Sequence, residues 1–331
     1  MLNGKTILIT GGTGSFGNHF TEYVLTHYKP KKIIIYSRDE FKQFNMANKF
    51  KKYAEVMRFF IGDVRDKERL LRALDGVDYV VHAAALKQVP ACEYNPIEAV
   101  KTNIDGAMNV INAVLDTPSV KKVVALSTDK AVNPINLYGG TKLVSDKLFT
   151  AANAYVGSKD VRFAVVRYGN VAGSRGSVIP FFQNIIDNGG KELPITDYQM
   201  TRFWISLEEG VKLVIKALTE ARGGETFISK IPSFKITDLA QAMLPGCEMP
   251  EVGIREGEKL HEVMITREDS ASTYEYEKHY IIYPHYDWWK KENIIPGGTL
   301  VEQGFEYSSG KNNQWLNVEQ LQELLKTMDI H

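Results

Sequence analysis

Short runs rich in β-branched residues return at regular intervals through the first half of the chain: KTILIT at 5–10, KKIIIYS at 31–37, MRFFIGDV at 57–64, VDYVVHAAA at 77–85, VKKVVALST at 120–128 and VRFAVVRYGN at 161–170. Such runs are apolar on successive residues rather than on alternate ones, which predicts strands covered on both faces. Between them lie stretches with helical spacing, HFTEYVLTHY at 19–28, ERLLRAL at 68–74, PIEAVKTNIDGAMNVINAVL at 96–115 and YGGTKLVSDKLFTAANAYV at 138–156. Strand and helix in strict alternation predict an α/β fold, a doubly wound parallel sheet of the Rossmann type.

After Asn170 the alternation breaks. The turn-rich GSRGSVIP at 173–180, Pro194, PSFKITDLAQAML at 232–244 and REGEKLHEVM at 255–264 point to a smaller C-terminal lobe. The expected division is therefore a cofactor-binding Rossmann domain over 1–170 and a substrate-binding lobe over 171–331, with 203–230 returning to the first. A tyrosine-rich tail, YEYEKHYIIYPHYDWW at 274–289, precedes NVEQLQELL at 317–325, where Asn317 and Gln320 have capping-box spacing.

In the 331 residues, 40 basic and 40 acidic side chains cancel, so no nucleic acid or anionic membrane surface is expected as a partner and any anion must be bound locally. No metal-ligand spacing occurs. Cys92 and Cys247 are read as inert buried thiols of a reducing compartment. Without a secretory pattern or a run of about 18 apolar residues, the chain is expected to be cytoplasmic.

TGGTGSFG at 10–17 follows the first strand directly and opens a helix. Gly11, Gly14 and Gly17 allow a tight turn and let the backbone approach a pyrophosphate at a helix N-terminus, which predicts dinucleotide binding. The tip of the second strand then decides which dinucleotide. There the chain reads YSRDEFKQ at 36–43: Ser37 and Arg38, with Lys42 behind, suit the 2′-phosphate of NADP, whereas Asp39, two residues on, would suit the 2′-hydroxyl of NAD. NADP is the expectation. Asp63 can accept from the adenine amine and Val64 can cover the ring; the competing reading makes Asp63 a helix cap.

Tyr138 and Lys142 stand one helical turn apart, so the lysine can lower the phenol pKa and ready it to take a hydroxyl proton. Ahead of them, STDK at 127–130 ends the fifth strand, where ligands bind in such sheets. Asp129 and Lys130 offer an acid beside a base, the requirement for eliminating water, provided that the backbone leaves strand geometry there. The alternative is a solvated surface pair. His82, inside an apolar strand, is expected to be a core histidine.

With the Y-x-x-x-K pair after the fifth strand, nearly the whole chain resembles the extended short-chain dehydrogenase/reductase superfamily. GGTGSFG, YSRDEFKQ, GDVRD, HAAALKQVP, STDKAVNP, YGGTK, RYGNVAGSRGSVIPFF, LPITD, MTRFWISLEEGV and REGEKLHE narrow the resemblance to the soluble UDP-N-acetylglucosamine 4,6-dehydratases that invert C5, the first enzymes of pseudaminic-acid biosynthesis. Gln88 and Gly140 stand where that family often has His and Ala. The resemblance implies that Asp129, Lys130, Tyr138 and Lys142 are catalytic. It adds Thr13, Ser15, Phe16, Ala83, Ala84, Ala85 and Lys87 to the cofactor contacts. It places Lys87, Thr128, Asn170, Arg175, Arg202, Arg255 and Glu258 against UDP-N-acetylglucosamine, and it suggests a homo-oligomer. A sugar-nucleotide 4-epimerase, which needs only Tyr138 and Lys142, and a non-catalytic NADP-sensing protein are the competing readings.

Overall fold

The computed structural model describes residues 2–173 and 177–328. The six expected strands form: β1 (Thr6–Thr10) leads into helix α1 (Ser15–His27), β2 (Lys32–Ser37) into α2 (Glu40–Lys49), and β3 (Met57–Ile61) into α3 (Lys67–Leu74). Next, β4 (Tyr79–His82) is followed by α4 (Val89–Tyr94), α5 (Pro96–Val100) and α6 (Gly106–Leu115). The single helix expected over 96–115 is thus interrupted by a π-helical turn at Lys101–Asp105. Then β5 (Lys122–Thr128) feeds α7 (Leu137–Ala152), and β6 (Arg162–Tyr168) closes the regular alternation.

Past β6 come α8 (Val178–Asp187), β7 (Thr201–Phe203), α9 (Leu207–Glu220), β8 (Thr226–Ser229), β9 (Ser233–Lys235), α10 (Ile236–Met243), β10 (Val263–Ile265), β11 (Thr273–Glu275), β12 (His279–Ile282), β13 (Thr299–Leu300), β14 (Tyr307–Ser308) and α11 (Val318–Lys326). The main sheet runs β13-β11-β12-β8-β6-β5-β4-β1-β2-β3. From β8 to β3 every neighbouring pair is parallel, and β12, β11 and β13 add antiparallel strands at the other edge. Strand order reverses between β1 and β4, so the carboxyl ends of the strands open a crevice there.

Both sheet faces are covered, as the continuous apolar runs require. Ile7, Ile9, Ile33 and Ile35 pack with Phe20 and Val24 of α1 and Val211 and Val214 of α9 on one face; Leu8, Val80 and Val123 pack with Leu70, Val110 and Phe149 on the other. A third apolar cluster, built from Ile179, Phe182, Trp204, Phe234, Leu239 and Leu321, joins α8, α10 and α11 away from the sheet. The capping box of Asn317 and Gln320 starts α11.

The chain re-enters the main sheet at 226–229 and again at 273–300. The second return lies outside the segment expected to rejoin the Rossmann domain. Its cause is the tyrosine-rich tail: Tyr276, Tyr280 and Tyr283 bury their rings in the same cluster as Phe227 and Ile228 of β8, and the Tyr276 and Tyr283 hydroxyls hydrogen-bond each other at 2.7 Å. Cys92 is buried, whereas Cys247 is only half-buried. Among the described residues, no helix is long and apolar enough to cross a membrane.

Candidate active site

The turn after β1 is shaped by backbone contact. Gly11 has φ +63, and a Cβ there would stand 2.8 Å from the Ala84 backbone. Any side chain would force the β1 and β4 tips apart, so this glycine is required by both conformation and space. Ala83 and Ala84 are held against β1 by Thr10: its carbonyl accepts from the Ala83 N–H at 3.2 Å and its hydroxyl from the Ala84 N–H at 3.3 Å. Thr13 and Gly14 lead into α1, and Ser15, Phe16 and Gly17 form its first turn. Gly14 caps α1 without a side-chain hydrogen bond, so the helix presents its first N–H groups unshielded by any side chain. These residues fit a dinucleotide pyrophosphate.

At the β2 tip the charges are exposed. Asp39 caps α2, accepting from the Lys42 N–H at 2.9 Å, and its carboxylate pairs with the Lys42 ammonium at 3.0 Å. Those contacts hold the Asp39 carboxyl below its usual range and occupy the acid that an NAD-type site would use. Arg38 reaches Asp63 at 3.5 Å. Ser37 is buried, its hydroxyl accepting from Gln43. Asp63 is not the helix cap; Asp66 caps α3. Burial pulls the Asp63 carboxyl up, but its hydrogen bonds to Arg65 outweigh that and leave it lowered. Val64 is 4% exposed and packs in the core against Gly106.

The β5 tip does leave strand geometry, through a 3₁₀ turn over Asp129–Ala131. Thr128 caps that turn and its hydroxyl donates to Asp129 Oδ1 at 2.8 Å. Lys130 Nζ lies 3.3 Å from Asp129 Oδ1, donates to Asn170 Oδ1 at 2.9 Å, and lies 3.5 Å from Glu262 Oε1. Asp129 and Lys130 are therefore not a solvated surface pair. Their side chains are 1% and 21% exposed.

Tyr138 joins them because α7 packs its first turn on this 3₁₀ turn. A Cβ on Gly139 would meet the Lys130 carbonyl oxygen at 2.1 Å, closer than any side chain permits. Asn136 caps α7 on the Gly139 N–H at 2.8 Å and donates to the Gly257 carbonyl, tying the helix start to the REGEK segment. Burial pushes the Tyr138 phenol up to about 12, against the charge of Lys130. The cation that most opposes this rise is Lys130, from the neighbouring turn, rather than Lys142 on the same helix. Burial lowers the Lys142 ammonium, and the opposing charge is that of Asp146, one turn further along α7. Asp146 in turn accepts from Ser127 at 2.5 Å and lies 3.6 Å from Arg167. Burial opposes the Lys130 ammonium, but Asp129 and Glu262 overcome it and raise its pKa to about 12. The resting protein thus holds Lys130 as a cation, the reverse of the neutral base that elimination requires.

The other expected contacts are dispersed. Lys87 is exposed after β4, with its ammonium lowered by the surrounding protein and by Lys130. Ala85 and Gln88 flank this segment. Arg202 is buried, donating to the Thr201 and Leu260 carbonyls and lying 3.7 Å from Glu262. Arg255 is exposed over the Phe181 ring at 5.8 Å, and Glu258 keeps a buried oxygen without a partner among the described residues. Arg175 lies outside the described residues. His82 is a core histidine: its Nδ1 is 2.8 Å from the Thr10 hydroxyl and burial lowers its pKa to about 3.

Sequence reading missed Gly139, Asp146 and Glu262. Glu262 ends the REGEKLHE motif, yet nothing in that motif announces that its side chain reaches back to Lys130.

A curated relative from Campylobacter jejuni subsp. jejuni serotype O:2, the inverting UDP-N-acetylglucosamine 4,6-dehydratase, is 58% identical over 331 residues, covering 98% of each chain. This chain belongs to that family. Residues 7–284 also match the polysaccharide biosynthesis protein family. A UDP-glucose 4-epimerase of Rickettsia canadensis is 42% identical, covering 98% of this chain and 96% of its own. Among solved structures, Pen from Bacillus thuringiensis superposes with a TM-score of 0.89 at 37% identity over the whole of both chains. DesIV of Streptomyces venezuelae, a dTDP-glucose 4,6-dehydratase with NAD and TYD bound, shares the fold at a TM-score of 0.68 and 24% identity, over 77% of this chain and 86% of its own.

Proposed function

We propose that the protein is an NADP-dependent dehydratase that converts UDP-N-acetylglucosamine to UDP-2-acetamido-2,6-dideoxy-β-L-arabino-hex-4-ulose, inverting C5. The observation that carries this reading is the pair of buried Asp129 and largely covered Lys130 set against Tyr138 by the 3₁₀ turn. A 4-epimerase needs the tyrosine but has no use for a buried acid and amine beside it.

The Gly11–Gly17 turn and α1 would hold the pyrophosphate of NADP, and Arg38 would hold the 2′-phosphate, since Asp39 is spent on capping α2. When bound, NADP would supply the hydride acceptor for C4 and the hydride donor for C6. Tyr138 removes the O4 proton. Its phenol is pushed up in the resting protein, and Lys130 is the cation that opposes that rise; Lys142, whose charge faces Asp146, serves the nicotinamide ribose. The C4 ketone acidifies the C5 proton, which Lys130 takes. Asp129 donates a proton to the C6 oxygen, which leaves as water, and Lys130 reprotonates C5 from the opposite face. Lys130 and Asp129 reach the required forms by passing one proton across 3.3 Å, so they titrate as a pair. Thr128, Asn170, Arg175, Arg202, Arg255, Glu258 and Lys87 are assigned to the substrate side, with 1–170 as the cofactor domain.

The product is suited to pseudaminic-acid or related surface-sugar synthesis in the cytoplasm. Exposed Ile97, Met108 and Val144 on α5, α6 and α7 are assigned to contact with a second copy of the chain. Mass spectrometry of UDP-N-acetylglucosamine after incubation tests the reading: a product lighter by one water supports it, and unchanged mass with altered C4 configuration replaces it with epimerisation.

A further inference from the structure

The cluster at the β5 tip holds one carboxylate more than this chemistry uses. Glu262 precedes β10, and its backbone is pinned on both sides by Ser309: the Glu262 N–H donates to the Ser309 hydroxyl at 2.9 Å and its carbonyl accepts from the Ser309 N–H at 2.8 Å. The side chain is 4% exposed. One oxygen, Oε1, lies 3.5 Å from Lys130 Nζ and 3.7 Å from Arg202 Nε. The other is buried without a hydrogen-bond partner among the described residues. A buried carboxylate with an unpaired oxygen costs folding free energy, so packing alone gives no reason for an acid here.

The charges do give one. Asp129, Tyr138, Glu262, Arg202 and Lys87 face Lys130 from its own turn, α7, the segment before β10, β7 and the loop after β4, with Lys259 nearby. Two carboxylates balance Lys130 and Arg202 only if Glu262 is ionised. When the proton passes from Lys130 to Asp129, Glu262 and Arg202 remain as a neutral pair.

We propose that Glu262 is a positioning residue for Lys130: its carboxylate holds the amine beside Asn170 and stabilises the ammonium formed when Lys130 takes the C5 proton. The inference rests on the dehydratase reading. In that step the C5–H bond breaks as the N–H bond forms, and the electron pair moves into the enolate of the C4 ketone. Asp129 then gives its proton to the C6 oxygen and the C6–O bond breaks. The cluster ends with ionised Asp129 and Glu262 against Lys130 and Arg202, again neutral.

The test is the pH dependence of kcat and of C5 deuterium uptake in heavy water, for wild type, Glu262→Gln and Glu262→Asp, each checked for a native circular dichroism spectrum and cooperative unfolding. The alkaline limb reports loss of the last proton shared by Asp129 and Lys130. Glu262→Gln removes a negative charge from beside the ammonium, so that limb should fall by about one pH unit or more, a tenfold change in the proton equilibrium. KM should be little changed and C5 exchange slower. Glu262→Asp keeps the charge at a longer reach and should shift the limb by less. A folded Glu262→Gln with the wild-type limb overturns the proposal. If Glu262→Gln does not fold, Glu262→Asp with wild-type kcat and wild-type limb overturns it equally. Wild-type protein that releases no water instead sinks the underlying reading.

Discussion

The tips of β1 and β2 and the tips of β5 and β6 lie on the same edge of one sheet, yet they handle charge in opposite ways. At the first, Arg38, Lys42 and Asp39 are roughly half exposed, and recognition rests on backbone shape, on Gly11 against Ala84 and on the uncapped start of α1. At the second, Asp129 and Glu262 are almost wholly buried around Lys130 and Arg202. Water screens the exposed set, which suits it to holding a phosphate by charge. Buried charges are weakly screened and coupled, so a change in the protonation of one is felt by all of them.

The largest contrast should come from removing the proton carriers. Lys130→Ala is expected to lose water elimination by about 10²- to 10⁴-fold while still reducing bound NADP, followed at the absorbance of reduced nicotinamide; Tyr138→Phe should lose both. Equal loss of both steps in Lys130→Ala would erase the separation between the two residues. Next, Gly139→Ala drives a methyl into the Lys130 carbonyl and should cost about a hundredfold in kcat by displacing the 3₁₀ turn. Near-wild-type turnover would show that the turn and α7 need not touch so closely.

Buried titration should also appear in stability. His82 stays neutral in the folded protein down to about pH 3, whereas the unfolded chain protonates it below about pH 6.5. Its contribution therefore favours unfolding increasingly as pH falls from about 6.5 toward 3, by roughly 3 kcal/mol at pH 4. Urea midpoints of His82→Asn, which can keep a hydrogen bond to Thr10, should fall less steeply over that window than those of wild type; parallel slopes would remove His82 as the cause. At the exposed end, replacing Ser37 by Asp and Arg38 by Ala should weaken NADP binding by about 10- to 100-fold and spare NAD, with the difference shrinking at high salt. Calorimetric titration giving equal NADP affinity would end the assignment of Arg38. Smallest, Gly140→Ala should raise stability by about 0.5–1 kcal/mol, because a Cβ at Gly140 meets open space one residue from the position where none fits. A destabilised Gly140→Ala would break that contrast.

Local sequence signals were enough to predict the six parallel strands, the glycine turn after β1 and the helix that carries Tyr138 one turn before Lys142, because each is set by contacts close in sequence: apolar runs, tight turns, one helical turn. The same local signals marked Asp129 and Lys130 as an acid and a base that must leave strand geometry together. They could not show what faces them. Glu262 reaches Lys130 across 132 residues, and Arg167 of β6 comes within 3.6 Å of Asp146 on α7. The tyrosine-rich tail, assigned to the smaller lobe, extends the main sheet because its rings find cover on β8. Charges far apart in the chain acquire their ionisation from burial and from the neighbours packing supplies, and only the folded chain brings those neighbours within 4 Å.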